Sequence, residues 1–380
     1  MNIPLFIAGL LLILIVFGDA FETMVLPRRV TRRLRLARLF LRYSWKFWLM
    51  IAMLIPPRRG RETFFGFFGP FAMLMLIILW ATGLVFGFAI MLWASGSTLT
   101  MHAGIVSFGT YLYMSGTSLF TLGLGDVTPT SPLGRGLIAA ESGLGLGFLA
   151  LVISYLPLLN QSFSRREVTI SLLDSHAGSP PTAAELIRRH IHDNEVDELR
   201  QHLHEWERWS AELLESHLSY PVLAQFRSHH ENQSWLGSLT AILDTCAFVL
   251  VGIEGVCKDQ AKFTFAMTRH AIVDIAGVFN CPPVHPEKDR LPKADLEYLC
   301  SILSEAGLKL EEAEVLEEAL MELRSMYEPY IHALSIYLHI TVPPWVLRTK
   351  RQDNWQTSRW DTGAGGARKK MLHEIWDDHF

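Results

Sequence analysis

The sequence predicts an all-α membrane protein with a mostly helical cytosolic domain at its C-terminal end. Three observations carry that expectation. No Asp, Glu, Lys or Arg occurs from Thr63 to Gly125; a soluble surface needs charge, whereas a bilayer core excludes it. Three apolar stretches each reach the roughly 20 residues that a hydrocarbon core of about 30 Å demands. Beyond Glu167 the chain turns to charged, amphipathic segments. Half of the 380 residues are hydrophobic and mean hydropathy is +0.22, so the apolar excess sits ahead of that change.

Residues 1–26 hold the first membrane helix, about Ile3 to Met24. No basic segment precedes it and no small-residue cleavage pattern follows, so it reads as a retained anchor and not a signal. Asp19 and Glu22 lie near its end, where headgroups accept them, and Pro27 breaks it. Residues 27–62 read as a basic amphipathic helix at the cytoplasmic interface. Val30, Leu34, Ala37, Leu41, Trp45 and Trp48 recur at helical spacing, with Arg28, Arg32, Arg35, Arg42 and Lys46 on a neighbouring track. Anionic lipid is the partner expected along Arg28–Lys46. Arg29, Arg32, Arg35 and Arg38 also recur every third residue, as in a voltage sensor. Arg28 and Arg33 break that track, and a surface helix is the preferred reading.

Residues 63–165 contain two more spans, about Pro70 to Trp93 and Leu137 to Leu159. The connection between them is too long for a turn and too polar for a span. It carries a helical pattern over Ser107 to Phe120 and then a Gly-alternating run, Thr121 to Asp126. Arg28 to Lys46, Arg58 to Arg61 and Arg165-Arg166 mark the cytoplasmic side. The N-terminus and the connection are thereby expected outside, and everything after the third span in the cytoplasm of a cell bounded by this plasma membrane.

Residues 166–345 read as the helical cytosolic domain. Thr182 and Glu185 have the spacing of a capping box. Trp235 to Ile253 is strongly apolar but holds Asp244, which favours a buried helix over a fourth span. Residues 346–380 are expected to form a mobile tail with a short terminal helix. Cys246, Cys257, Cys281 and Cys300 contain no CxxC pair and suit reduced cytosolic thiols. His190, His192, His202 and His204 fall in pairs two apart, which do not share a helical face; a solvated surface is expected in place of a metal site. A net charge of −4 leaves no nucleic-acid footprint. No GxGxxG follows a strand, Gly363 to Gly366 has no strand before it, and no catalytic constellation stands out, so an enzyme is not expected.

The chemistry lies in Ser115-Gly116-Thr117-Ser118-Leu119-Phe120-Thr121-Leu122-Gly123-Leu124-Gly125-Asp126. A cation that enters a narrow pore sheds its water, and backbone carbonyls can replace that shell. Successive carbonyls point to one side only if the backbone alternates between ordinary and left-handed dihedrals. Gly accepts the left-handed positions without a side-chain clash. Gly123 and Gly125 alternate with Leu122 and Leu124 as that geometry needs.

This segment resembles the pore loop of potassium channels, whose filter usually reads TVGYGD. Thr121, Gly123, Gly125 and Asp126 match by identity, Leu122 replaces Val, and Leu124 replaces Tyr. The resemblance covers roughly Pro70 to Arg166 and is to bacterial channels with two pore helices, here with an extra N-terminal helix. It implies a tetrameric pore fold for 63–165: outer helix, pore helix, filter, inner helix. It also implies potassium ions on the carbonyls of Thr121, Leu122, Gly123 and Leu124, with Gly125 completing the filter. Asp126, Ser118 and Phe120 are expected to support it. One loop supplies one wall and the chain has no second TxGxGD, so a homotetramer is implied. Gly143-Leu144-Gly145-Leu146-Gly147 lies inside the third span, where it permits close packing or bending; Gly143 and Gly147 are candidate gating positions. Glu141 nearby is either coupled to the filter or a structural hydrogen-bonded group. No organic cofactor is expected. A weakly selective cation channel and a membrane-anchored signalling or scaffold protein stand as alternatives, and the gating stimulus is not legible.

Overall fold

The computed structural model describes residues 1–26, 35–56, 59–101, 105–190, 197–230, 232–253, 257–311 and 313–349. The chain divides into two compact units, Met1–Ser162 and Phe163–Phe380. Among the described residues four helices are long and apolar enough to cross a membrane.

In the first unit, α1 (Ile3–Met24), α2 (Leu36–Ala52), α3 (Arg59–Ser95), α4 (Phe108–Leu119) and the start of α5 (Pro132–Ala177) are joined by one antiparallel ribbon. That ribbon pairs β1 (Leu99–Met101) with β2 (Val127–Pro129) in the register Thr100 to Thr128. It is the one departure from an all-α unit, and it brackets α4 and the loop that follows. Helix α1 runs antiparallel to α3. Asn2 N–H donates to Ala94 O at one end (2.7 Å), and Asp19 reaches Trp80 at the other (2.8 Å). Small residues bring the two backbones together: a Cβ on Gly9 would lie 2.8 Å from Gly87 O, the kind of approach that apolar solvent alone cannot drive but close packing can.

Asp19 corrects the headgroup expectation. It is buried, and its Oδ2 accepts from Trp80 Nε1 at 2.8 Å and from the Ala37 amide at 2.9 Å. A carboxylate from α1 therefore caps the start of α2 while pinning α3. The amphipathic helix expected over residues 27–62 is seen over Leu36–Ala52; residues 27–34, with Arg28, Arg29, Arg32 and Arg33, lie outside the described residues. Trp45 of α2 is buried against Phe65 and Phe68, and Trp48 stacks on Phe64 at 4.4 Å, while Arg42 and Lys46 are exposed.

Two helices outrun their expected spans. Helix α3 begins at Arg59, ahead of Pro70, because Gly60 to Gly69 pack as helix against α2. Helix α5 continues past Leu159 to Ala177, through Pro157 and both arginines. Hydropathy reports where lipid ends, and a helix need not end there.

The second unit is helical and described by itself. It comprises the end of α5, α6 (Ala183–His190), α7 (Asp197–Ser219), a 3-10 turn (Pro221–Gln225), α8 (Trp235–Gly252), α9 (Lys258–Phe279), α10 (Lys293–Glu305), α11 (Ala313–Ser325) and α12 (Glu328–Leu338). Thr182 Oγ1 accepts the Glu185 amide (3.3 Å), so half of the expected capping box is present. Helix α8 is the unit's centre, with 89% of its apolar window buried. Asp244 in α8 accepts two bonds from Arg290, at 2.6 and 3.3 Å, and one from Tyr327 OH at 2.6 Å; Arg290 also pairs with Glu328 at 2.9 Å. The acid that argued against a fourth span is thus neutralised inside a protein core. Arg166, counted above among the cytoplasmic markers, is buried here as well. It donates to Leu223 O and Phe226 O, both at 2.8 Å, and pairs with Glu167 at 2.9 Å. Trp345 and Val346 belong to the same core, so folded chain passes the boundary expected at 345. The tail from 350 on, Gly363 to Gly366 included, lies outside the described residues. All four cysteines are free.

Candidate functional site

Helix α4 and the loop behind it form the site. The Ser107 amide donates to Thr110 Oγ1 (3.1 Å) at the helix start. Tyr111 and Met114 turn inward onto Ala89 and Leu92 of α3. The helix ends with its carbonyls in use: Phe120 N–H donates to Gly116 O (3.1 Å), Thr121 N–H to Ser118 O (3.0 Å), and Leu122 N–H to Thr117 O (2.8 Å). The loop's first donors therefore fold back onto the helix.

The loop then alternates. Thr121, Gly123 and Gly125 have φ of +57°, +55° and +75°, while Leu122 and Leu124 between them are not in the left-handed region. The glycines were expected to take these positions. Thr121 does so too, although a β-branched residue there is strained by about 1–3 kcal/mol. Among the described residues no hydrogen bond ends on the carbonyl of Thr121, Leu122, Gly123 or Leu124. Four consecutive acceptors without a protein donor are costly in a dry environment unless something else ligates them. In one chain the side chains of Phe120, Leu122 and Leu124 are 60%, 63% and 61% exposed.

One contact holds the loop itself, and others hold the end of the helix behind it. Tyr113 OH donates to Asp126 Oδ2 at 2.9 Å, tying the far end of the loop to the middle of α4. Glu141 of α5 is fully buried and accepts a hydrogen bond from Ser115 Oγ, which also reaches Val85 O at 2.8 Å. Ser142 Oγ donates to Ser118 O at 3.2 Å, and Ser118 Oγ to Met114 O at 2.8 Å. Glu141 and Ser118 are thus brought to the base of the loop, whereas Phe120 points to the surface of the single chain.

The glycine run in α5 sorts unequally. A Cβ on Gly145 would sit 2.0 Å from Leu119 O, so α5 touches the end of α4 backbone to backbone there. Gly143 and Gly147, the two singled out from sequence, have nothing within 4 Å of such a Cβ. Sequence reasoning missed Gly145 and Tyr113. The central place of Gly145 in the run was a signal; Tyr113 had none beyond an aromatic on α4.

A histidine cluster overturns the solvated-surface expectation. His190 and His202 are buried and meet the half-buried His176. His204 is exposed as expected, and His192 lies outside the described residues. Position along a single helix could not foresee contacts made between three helices.

Residues 70–158 match the family model described as ion channel. The match runs from Pro70 in α3 through α4 and the alternating loop to Leu158 in α5. No curated protein and no solved structure matches the chain.

Proposed function

We propose, from the match of residues 70–158 to the ion channel family model, that four copies of this chain form a potassium-selective pore. Its filter is Thr121-Leu122-Gly123-Leu124-Gly125. Potassium ions sit on the carbonyls of Thr121, Leu122, Gly123 and Leu124, and no covalent chemistry is involved. The observation that carries this reading is the left-handed alternation at 121, 123 and 125 combined with four unclaimed carbonyls. Such a loop is built to give its oxygens to a cation.

Two further observations support the assembly. Leu146, Leu149, Ile153 and Leu156 of α5 are exposed in one chain, as is expected of an inner helix whose face is shared between subunits. The end of α4 brings a partial negative charge to the base of the loop, which favours a cation. The antiparallel α1–α3 pair agrees with an N-terminus on the same side as the filter. We place that side outside and the second unit in the cytoplasm, with anionic lipid along Arg28–Lys46 in the plasma membrane. Glu141, Gly143 and Gly147 are the proposed gating positions.

A weakly selective cation pore is the second reading, favoured by Leu124 where a potassium filter usually carries an aromatic. Recording purified protein in planar bilayers under potassium/sodium bi-ionic conditions separates the two. A strongly potassium-biased reversal potential is expected; one near zero leaves the second reading. Gly123→Ala and Gly125→Ala, each forcing a Cβ into a left-handed position at about 1–2 kcal/mol per site, should abolish current while sparing the tetramer. No current from any form of the wild-type protein would remove both readings.

A further inference from the structure

Three histidines from three successive helices meet at the end of α5. His176 lies in its last turn, His190 ends α6, and His202 belongs to α7. Their ring centroids are 4.9 Å (His176–His190), 4.8 Å (His176–His202) and 4.6 Å (His190–His202) apart. One ring nitrogen of each lies within 4.8 Å of the other two.

The hydrogen bonds around the rings decide what those nitrogens can do. His190 Nδ1 lies 2.9 Å from Leu186 O. A carbonyl only accepts, so Nδ1 carries the proton and Nε2 keeps its lone pair. This is the orientation that a carbonyl commonly imposes on a metal-binding imidazole. His202 Nε2 is buried with no hydrogen-bond partner, which a folded core tolerates only at a cost. Burial holds all three imidazoles below their usual titration range, and for His202 the neighbouring His190 and His176 push further the same way. The rings are therefore neutral bases at physiological pH. Three leucines would fill this space without an unsatisfied nitrogen.

We infer that His176, His190 and His202 form a binding site for a divalent d-block cation of the zinc class. Three neutral imidazoles and an open fourth position are a common zinc arrangement. Zn–N bonds of about 2.0–2.1 Å put tetrahedral ligand nitrogens about 3.3 Å apart, so the nitrogens need to draw in by about 1.5 Å at most, within reach of side-chain rotation. The charges around the cluster are mixed. Glu205, Glu198 and Arg189 act on His176, and Glu198 and Arg189 on His190. Arg189 is engaged by Glu185 (3.1 Å) and Ser175 O (2.7 Å), which leaves the two glutamates to favour a cation. No cysteine joins the group, so imidazole-preferring metals fit better than those that need thiolate. Once bound, the ion joins the last turn of α5 to α6 and α7.

The test uses the full-length protein in detergent, free of any polyhistidine tag and stripped with chelator. Zinc chloride is titrated against a competing chromophoric chelator, and cobalt(II) chloride is added to a second sample. One zinc per chain is expected, with a cobalt spectrum of tetrahedral intensity. His202→Gln and His176→Asn should each weaken zinc binding by more than the roughly 10–100-fold typical of losing a residue that only hydrogen-bonds a ligand, while His204→Ala leaves it unchanged. Wild-type protein that leaves all zinc with the competitor overturns the site. So does a weak octahedral cobalt spectrum, or unaltered affinity in both ligand variants. The cobalt spectrum of the wild type decides the matter even if a variant fails to fold. Binding is read without current, so its failure leaves the pore untouched.

Discussion

Tyr113 on α4 and Asp126 at the far end of the loop that follows are joined by a 2.9 Å hydrogen bond. The contact closes the loop against the helix it left, with the strained Thr121 and both glycines in between. It supplies from α4 a hydroxyl brace that Leu124 cannot give. Tyr113 is exposed in the single chain, so water competes for this contact and its worth depends on how far assembly excludes water. In the proposed pore, Tyr113→Phe should favour collapse of the loop. Steady-state single-channel recording is expected to show a shortened open time at unchanged unitary current. An open time equal to wild type would remove the brace.

Gly145 and its neighbours make opposite predictions. Ala at 145 drives a Cβ into Leu119 O, which is backbone and cannot rotate away. Overpacking of this kind costs about 1–3 kcal/mol, and here it displaces the residue two before Thr121. Ala at 143 or 147 meets nothing within its own chain and gains about 0.5–1 kcal/mol of helix propensity. In the assembly proposed above, Gly145→Ala should lower both thermal stability and current. Gly143→Ala and Gly147→Ala should retain assembly. Loss of assembly in Gly143→Ala would instead place that residue against a neighbouring subunit.

What could be read in advance follows from how each feature is encoded. The alternating loop was legible because left-handed backbone leaves a mark on sequence, Gly123 and Gly125, and the apolar helices because a bilayer permits so few charges. Asp244 was legible as a core residue because an acid in a mid-span position argues for a protein partner, later found in Arg290. Helix ends were not legible: α5 passes the end of its apolar stretch and keeps its hydrogen-bonding pattern through Arg166 to Ala177. Asp19 was misread because its partners, Trp80 and the Ala37 amide, lie far away in sequence. The histidine cluster was hidden for the same reason. Spacing within one helix says nothing of rings contributed by three.

The ion pair in the second unit predicts an asymmetric mutational response. Removing one partner of a buried pair leaves the other charged and unpaired, at about 3–5 kcal/mol. Arg290→Met orphans Asp244 and weakens the hold on Glu328, so it should unfold the second unit or lower its melting temperature sharply. Asp244→Asn keeps the size and can still accept from Arg290 and Tyr327, so its cost should be smaller. Urea melts of the full chain followed by tryptophan fluorescence compare them; equal destabilisation would contradict the charge argument.

His217 makes the same unit sensitive to acid. It is buried between the Arg166 guanidinium, 3.5 Å away, and the Trp235 ring, 5.1 Å between centroids. Burial, then the charge of Arg166, pulls its pKa from 6.5 to about 3, against a bond to Leu213 O that pulls it up. The unfolded chain binds this proton near pH 6.5 and the folded chain resists it until about pH 3. The stabilising contribution is therefore complete above pH 6.5 and is lost as pH falls through that window. Its slope is about 1.4 kcal/mol per pH unit for one such group. Glu167, paired with Arg166 at 2.9 Å, is the carboxylate closest to relieving the charge. Thermal melts between pH 7.5 and 5.0 should fall more steeply for wild type than for His217→Gln, which cannot take the proton. Parallel curves for the two proteins would assign the acid sensitivity to other groups.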